Sequence, residues 1–306
     1  MRKNSKYLFI IIGICAVVFI CSIVAFLPTP TPNVAHGKSW LSKVSDDTKL
    51  TDLSLPGTHD SGAEHSLYDI AGKCQDLDIS QQLAIGVRFL DIRLQLRNDK
   101  LFIVHSFVDQ GIKFSTILRQ IQNFLLENSS EFLIVSIKQD ADTINSTITF
   151  TQAVKKELTP ATDLIDYRSS LPNTVGQIRG KMIILARYEN NTIGIPAFNG
   201  WQDSTTFELG NFLIQDNYKI NDVNTKKIDI KKTLDATQNT NDKLVLNFSS
   251  CYLTNAFPPT YAGTCAKNIN PWLLDVIRSH PKKTGVIVAD FITAELCKTI
   301  FERNYL

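Results

Sequence analysis

Two histidines, His59 and His105, bracket an arginine, Arg93. The three residues close apolar runs: Leu53-Ser-Leu-Pro-Gly-Thr-His59, Val87-Arg-Phe-Leu-Asp-Ile-Arg93 and Leu101-Phe-Ile-Val-His105. Two imidazoles and a guanidinium can cleave a phosphodiester without a metal. One imidazole takes a proton while the other gives one. The guanidinium holds phosphoryl oxygens with a planar fork of donors. Asp60, beside His59, can accept a hydrogen bond from an imidazole. Asp91 and Arg93 are two residues apart, which on a strand puts both side chains on one face and allows an ion pair. Tyr218, in Gln215-Asp-Asn-Tyr218, offers an aromatic face to a sugar ring, with Asp216 close by.

These residues need strands to bring them together. Candidate strands are Arg88–Leu94, Leu101–Val104, Phe132–Ile137, Met182–Leu185, Leu244–Phe248 and Val286–Ala289. They are apolar with little alternation, as expected of strands buried on both faces. Helical stretches lie between several of them, the clearest being Ser80–Ile85, Ser115–Glu127, Gln152–Leu158 and Pro271–Ser279. Ser115 reads as an N-cap, and Pro271 as the first helical residue after Asn270. The alternation predicts a parallel sheet with crossover helices, and its length fits a closed (β/α) barrel. Arg93, His105, Lys138, Arg187 and Asp290 all fall at or just past strand ends. In a parallel barrel these ends gather on one face, where active sites lie. Such a mouth suits a small anionic polyol better than a lipid tail.

The chain has 306 residues, 43% of them hydrophobic, which is enough for a large core. A net charge of +2, with no dense basic run, gives no reason to expect nucleic acid as a partner. Lys226-Lys-Ile-Asp-Ile-Lys-Lys232 reads as a solvated helix face.

Residues 1–27 stand apart. Arg2, Lys3 and Lys6 precede an uncharged stretch, Leu8 to Leu27, long enough to span a bilayer as a helix. This is a signal-anchor or a cleavable signal, with the C-terminal body exported. The body is then membrane-anchored or secreted. Residues 28–37 form a stiff Pro/Thr linker, and 38–306 form the barrel domain. An exported body permits disulfides. Cys251 and Cys265 flank a proline-rich loop and are the easiest pair to join, with free buried thiols as the other reading. No Cys-x-x-Cys occurs, and the Cys/His spacing does not suggest zinc.

Leu55-Pro-Gly-Thr-His-Asp-Ser-Gly62, Ser80-Gln-Gln-Leu-Ala-Ile-Gly-Val-Arg-Phe-Leu-Asp-Ile-Arg93 and Val104-His105 together resemble the X region of phosphatidylinositol-specific phospholipases C, closest to the bacterial, metal-independent kind. The likeness extends from about residue 50 to 292. It implies an irregular (β/α)8 TIM-type barrel. It also implies an intramolecular reaction: the inositol 2-hydroxyl attacks phosphorus and expels diacylglycerol, leaving inositol 1,2-cyclic phosphate. By resemblance, His59 is the general base with Asp290 behind it, and His105 is the general acid assisted by Asp60. Arg93 clamps the phosphate. Asp91, Lys138, Arg187, Asp216 and Tyr218 hold the inositol. Calcium-dependent members gather carboxylates around a cation where this chain carries Arg93, so no metal or other cofactor is expected. The expected partner is phosphatidylinositol at a membrane surface, met by a monomer.

Two other readings stay open. One is a related phosphodiesterase acting on a glycosyl-phosphatidylinositol, a glycerophosphodiester or a sphingolipid. The other is a non-catalytic barrel that only binds phosphoinositides.

Overall fold

The computed structural model describes residues 37–65, 72–189, 193–240, 242–255, 261–281 and 283–306. The expected signal or anchor segment, and the spacer up to residue 36, lie outside these. Among the described residues, no helix is long and apolar enough to cross a membrane.

Strand β1 (Ser54–Thr58) leads to helix α1 (Ile79–Ile85) and β2 (Phe89–Arg97). The chain doubles back into β3 (Lys100–His105) and β4 (Val108–Lys113), then enters α2 (Phe114–Glu127). Next come β5 (Leu133–Gln139), α3 (Phe150–Leu158), β6 (Ile165–Asp166), β7 (Met182–Arg187) and β8 (Ile195–Pro196). A hairpin of β9 (Thr206–Leu209) and β10 (Phe212–Gln215) precedes β11 (Lys219–Ile220) and α4 (Val223–Ala236). β12 (Leu244–Phe248), β13 (Tyr252–Leu253), α5 (Ala262–Ser279), β14 (Gly285–Ala289) and α6 (Ala294–Phe301) follow.

The strands form an irregular α/β barrel. Seven are parallel neighbours in the order β7-β5-β2-β1-β14-β12-β10. The eighth position is divided: β6 pairs with the first half of β7, and β8 with its last residues. At the other edge β9 runs antiparallel to β10. Among the described residues, no ladder joins β9 to β6 or β8, so the hydrogen-bonded sheet is not closed as the strand count alone suggested. The parallel strands β5, β7, β12 and β14 are almost wholly buried, as their unbroken Val, Ile, Leu and Phe content required.

Several local expectations change. β3 is not a barrel strand. It pairs antiparallel with β2 through a tight turn at Asn98 and Asp99, both with positive φ (50° and 58°). This left-handed pair is what a two-residue hairpin needs. His105 therefore reaches the mouth by returning along β2, not by rising through the barrel. Helix α2 starts at Phe114, with Lys113 rather than Ser115 at its N-cap. Pro271 lies inside α5, which begins nine residues earlier, at Ala262. Asn270 is no cap; its amide donates to the Asp290 and Phe291 carbonyls, at 2.9 and 3.3 Å. Lys226 is buried rather than solvated. Its ammonium donates to Gln215 Oε1 (2.8 Å) and the Asn217 carbonyl (2.6 Å), and burial lowers its pKa to about 8.

At the end opposite the mouth, Arg88 is fully buried. It donates to Glu131 and to the carbonyls of Gly37, Lys38, Leu83 and Val87. This one side chain ties the start of the domain to α1 and β5. Its charge is paired and nearly all its donors are used, as a buried guanidinium requires.

Candidate active site

The mouth is a cleft of about 730 Å³. Its polar wall follows from sheet register. Arg93 on β2 pairs with Lys138 on β5, and Lys138 with Arg187 on β7, so three cations stand abreast on adjacent strands. β1 and β14 end together, with Thr58 opposite Ala289, and hand the chain to His59 and Asp290.

The turn after β1 is held from below. The Gln82 amide donates to the carbonyls of Ser61 (2.8 Å) and Leu77 (2.7 Å), and its Oε1 accepts from the Thr58 hydroxyl at 2.8 Å. The Ser61 hydroxyl accepts from the Asp91 N–H at 2.8 Å. Packing at Gly57 is tight, since a Cβ there would lie 3.0 Å from Phe89 Cβ and 3.2 Å from the Ile287 carbonyl oxygen. Gln75 bridges the two strand ends, donating to the carbonyls of His59 (2.8 Å) and Ala289 (2.9 Å).

His59 Nδ1 lies 2.7 Å from Asp290 Oδ1, and Arg93 Nη2 lies 2.8 Å from His59 Nε2. A guanidinium can only donate, so Nε2 is the acceptor and Nδ1 carries the proton to Asp290. This is the neutral tautomer with its basic lone pair on Nε2. Burial pulls the His59 pKa down and Arg93 adds to that. The Asp290 carboxylate outweighs both, leaving the imidazole above its ordinary 6.5.

Arg93 sits among three carboxylates. It donates to Asp91 at 3.0 and 3.1 Å, and lies 3.8 Å from Asp140 and 3.9 Å from Asp60. Asp91 also accepts from Arg187 at 3.3 Å. Burial would raise Asp91 and Asp140. The guanidiniums of Arg93 and Arg187 instead hold Asp91 well below the usual range, and Arg93 with Lys138 holds Asp140 at about 2. Asp91 is fully buried and absent from the cleft lining, so the expectation that it touches the inositol is corrected. Its two oxygens are taken by two arginines, and it positions them.

His105 Nδ1 lies 3.5 Å from Asp60 Oδ2 and 3.3 Å from Cys74 Sγ, which leaves Nε2 as its other proton-transfer atom. Asp60 is fully buried at φ 41°, and neither carboxylate oxygen has a hydrogen-bond partner among the described residues. Burial raises its carboxyl to about 7, against the pull of Arg93 and His59. Burial also pushes His105 down to about 4, with His59 and Arg93 adding to it. Burial thus raises the acid and lowers the base of this pair, which favours the proton on Asp60 over His105.

Lys138, Arg187, Asp216 and Tyr218 all line the cleft. The Tyr218 hydroxyl donates to Asp203 at 2.5 Å. Trp201 supplies what the sequence reading lacked: its indole donates to Asp216 at 3.1 Å, and Arg187 stacks 3.6 Å over its ring. Asp140, paired with Lys138, was also missed. Its two-residue spacing from Lys138 repeats that of Asp91 and Arg93 and was there to be read. Nothing local flags Trp201, Gln75 or Cys74. Cys251 and Cys265 are brought together as two buried thiols in hydrogen-bond contact.

A family model for the phosphatidylinositol-specific phospholipase C X domain matches residues 53–188. A 1-phosphatidylinositol phosphodiesterase of Staphylococcus aureus is 30% identical over 282 residues, covering 83% of this chain and 88% of that protein. This chain belongs to the phosphatidylinositol-specific phospholipase C family. The enzyme of the same name from Listeria monocytogenes is 28% identical over 286 residues, covering 90% of this chain and 87% of its own. Among solved structures, a mutant of the S. aureus phosphatidylinositol-specific phospholipase C superposes with a TM-score of 0.76 at 25% identity, covering 87% of this chain and 98% of that one. The L. monocytogenes enzyme gives 0.71 at 26% identity, covering 87% and 98%. These likenesses include the barrel as well as the motifs.

Proposed function

We propose that this chain cleaves phosphatidylinositol to diacylglycerol and inositol 1,2-cyclic phosphate, by acid–base catalysis on two histidines without a metal ion. One observation carries the reading: His59 holds a free base on Nε2, fixed by Asp290 on one side and by the Arg93 fork on the other.

His59 Nε2 takes the proton of the inositol 2-hydroxyl. That oxygen bonds to phosphorus, and the bond from phosphorus to the glycerol oxygen breaks. His105 protonates the departing oxygen through Nε2, drawing on the proton held by Asp60. Arg93 turns its N–H from His59 to a phosphoryl oxygen, which frees the lone pair and stabilises the charge that develops. Nucleophile and phosphorus share one molecule, so the protein mainly positions and stabilises. Lys138, Arg187, Asp216 and Tyr218 hold the inositol ring. The guanidinium of Arg93 pairs with Asp91 and, with Lys138, flanks Asp140, so a cation already stands among these carboxylates, and this supports calcium independence.

The substrate lies in a bilayer. Phe107, 91% exposed, follows His105 by two residues, and Phe198 and Tyr252 are exposed at the cleft rim. Apolar rings beside a lipid-cleaving mouth fit contact with a membrane surface. One chain carries the whole site and acts as a monomer. The uncharged stretch from Leu8 to Leu27 supports export of the body, anchored or released, into an oxidising space where the adjacent Cys251 and Cys265 thiols can be oxidised to a disulfide.

Diacylglycerol release by a His59→Ala variant tests the assignment. A loss of about 10²–10⁴-fold is expected. Release at the parent rate would overturn it.

A further inference from the structure

We infer that Cys74, His105 and Asp60 form an inhibitory site for a soft divalent cation such as zinc.

Cys74 Sγ and His105 Nδ1 are 3.3 Å apart, and His105 Nδ1 and Asp60 Oδ2 are 3.5 Å apart. The three ligand atoms all lie within 4.8 Å of one another. Tetrahedral zinc, bound about 2.0–2.3 Å from each ligand, separates ligand atoms by roughly 3.3–3.8 Å. Two edges of that triangle thus already have the required length. Asp60 is the second, independent sign. It is a fully buried carboxylate with no hydrogen-bond partner among the described residues on either oxygen, and its charged neighbours, His105 and Arg93, stand off at 3.5 and 3.9 Å. Such an orphan normally has an occupant or a role.

The surroundings keep the ligands in place. The Cys74 N–H donates to the Ala63 carbonyl at 2.8 Å, and its carbonyl accepts from the Phe291 N–H at 2.7 Å. The thiol is therefore tied to the turns that carry Asp60 and Asp290. His105 is the one ligand lining the cleft, so an ion would come in past its ring. Binding releases the thiol proton, and the carboxyl proton where Asp60 holds one, to solvent. The resulting thiolate and carboxylate balance the dication beside Arg93. A fourth position is left for water or an anion. Thiolate, imidazole and a single carboxylate suit zinc or cobalt. Calcium wants six to eight oxygens and finds one ligand group of that kind here.

Occupation takes His105 Nδ1 and Asp60 together, the two groups that hold the leaving-group proton. This loss of activity rests on the function proposed above; the binding does not.

Cobalt(II) titration of the full chain tests the site, followed by zinc inhibition of diacylglycerol release. The parent should show a thiolate-to-cobalt charge-transfer band, lost in both Cys74→Ala and His105→Ala but kept in His59→Ala. Zinc affinity should fall roughly 100-fold or more in Cys74→Ala. Circular dichroism of each variant separates lost ligation from lost folding. No band, or a band lost in His59→Ala and kept in His105→Ala, overturns the proposal. A band without inhibition keeps the site and instead removes His105 and Asp60 from the proposed reaction.

Discussion

Arg93 Nη2 sits 2.8 Å from His59 Nε2, on the lone pair that the proposed reaction uses. The same side chain donates twice to Asp91. Base and phosphate clamp are thus one hydrogen-bonded unit, and Asp91 sets the direction of the fork. Lys has a point charge and cannot keep both contacts from one plane. An Arg93→Lys variant should lose about 10²–10³-fold in kcat, and added calcium should not restore it. Steady-state kinetics with and without calcium checks this. Full recovery by calcium would show that a cation can replace the guanidinium.

The pH profile should be a narrow bell. Activity rises as His59 loses its proton, above its ordinary 6.5. It falls as the Asp60–His105 pair loses its own, at about 7. Asp60→Asn cannot store that proton. Only His105 remains, at about 4, so the falling limb should move toward acid and neutral activity should drop. Measurement of kcat/KM from about pH 5 to about pH 9 decides. An unchanged alkaline limb in Asp60→Asn would remove Asp60 from the acid.

Much of this site was legible in the sequence because strand ends are legible. Arg93, Lys138, Arg187 and Asp290 close long apolar runs, and a parallel barrel brings such ends to one face. His105 was placed at the mouth for a partly wrong reason. Its strand is the return limb of a hairpin, signalled by Asn98-Asp99. β1 and β10 went unread as strands. Pro56 and Gly57 look like a turn, and β1 pairs with β2 at Gly57 and Thr58 alone, so Pro56 breaks no long ladder. β10 is four residues long, below what periodicity can resolve. Trp201 and Gln75 act through contacts far along the chain, and no local pattern carries those. Asp91 was correctly paired with Arg93, yet burial gave it a second arginine and removed it from the cleft.

Asp60 should also cost the protein stability. Its folded carboxyl is raised from 3.8 to about 7. The advantage of the protonated form is complete below the unfolded value and is lost as pH rises through the folded one. Above neutral pH the wild type must hold a buried carboxylate that Arg93, 3.9 Å away, only partly offsets, or protonate it. Asp60→Asn should therefore be more stable than wild type at alkaline pH, by on the order of 4 kcal/mol. The gain should shrink toward zero near pH 4, where the side chain at position 60 is uncharged in both folded proteins. Denaturant unfolding across this range is the check. A variant equally stable at every pH would mean that Asp60 is not buried as an acid.

Phosphorus NMR of the products formed from phosphatidylinositol, with and without EDTA, tests the central claim most directly. The account predicts inositol 1,2-cyclic phosphate as the first product, at the same rate in chelator. A rate abolished by EDTA and restored by calcium, or an acyclic phosphate as the first product, would contradict it.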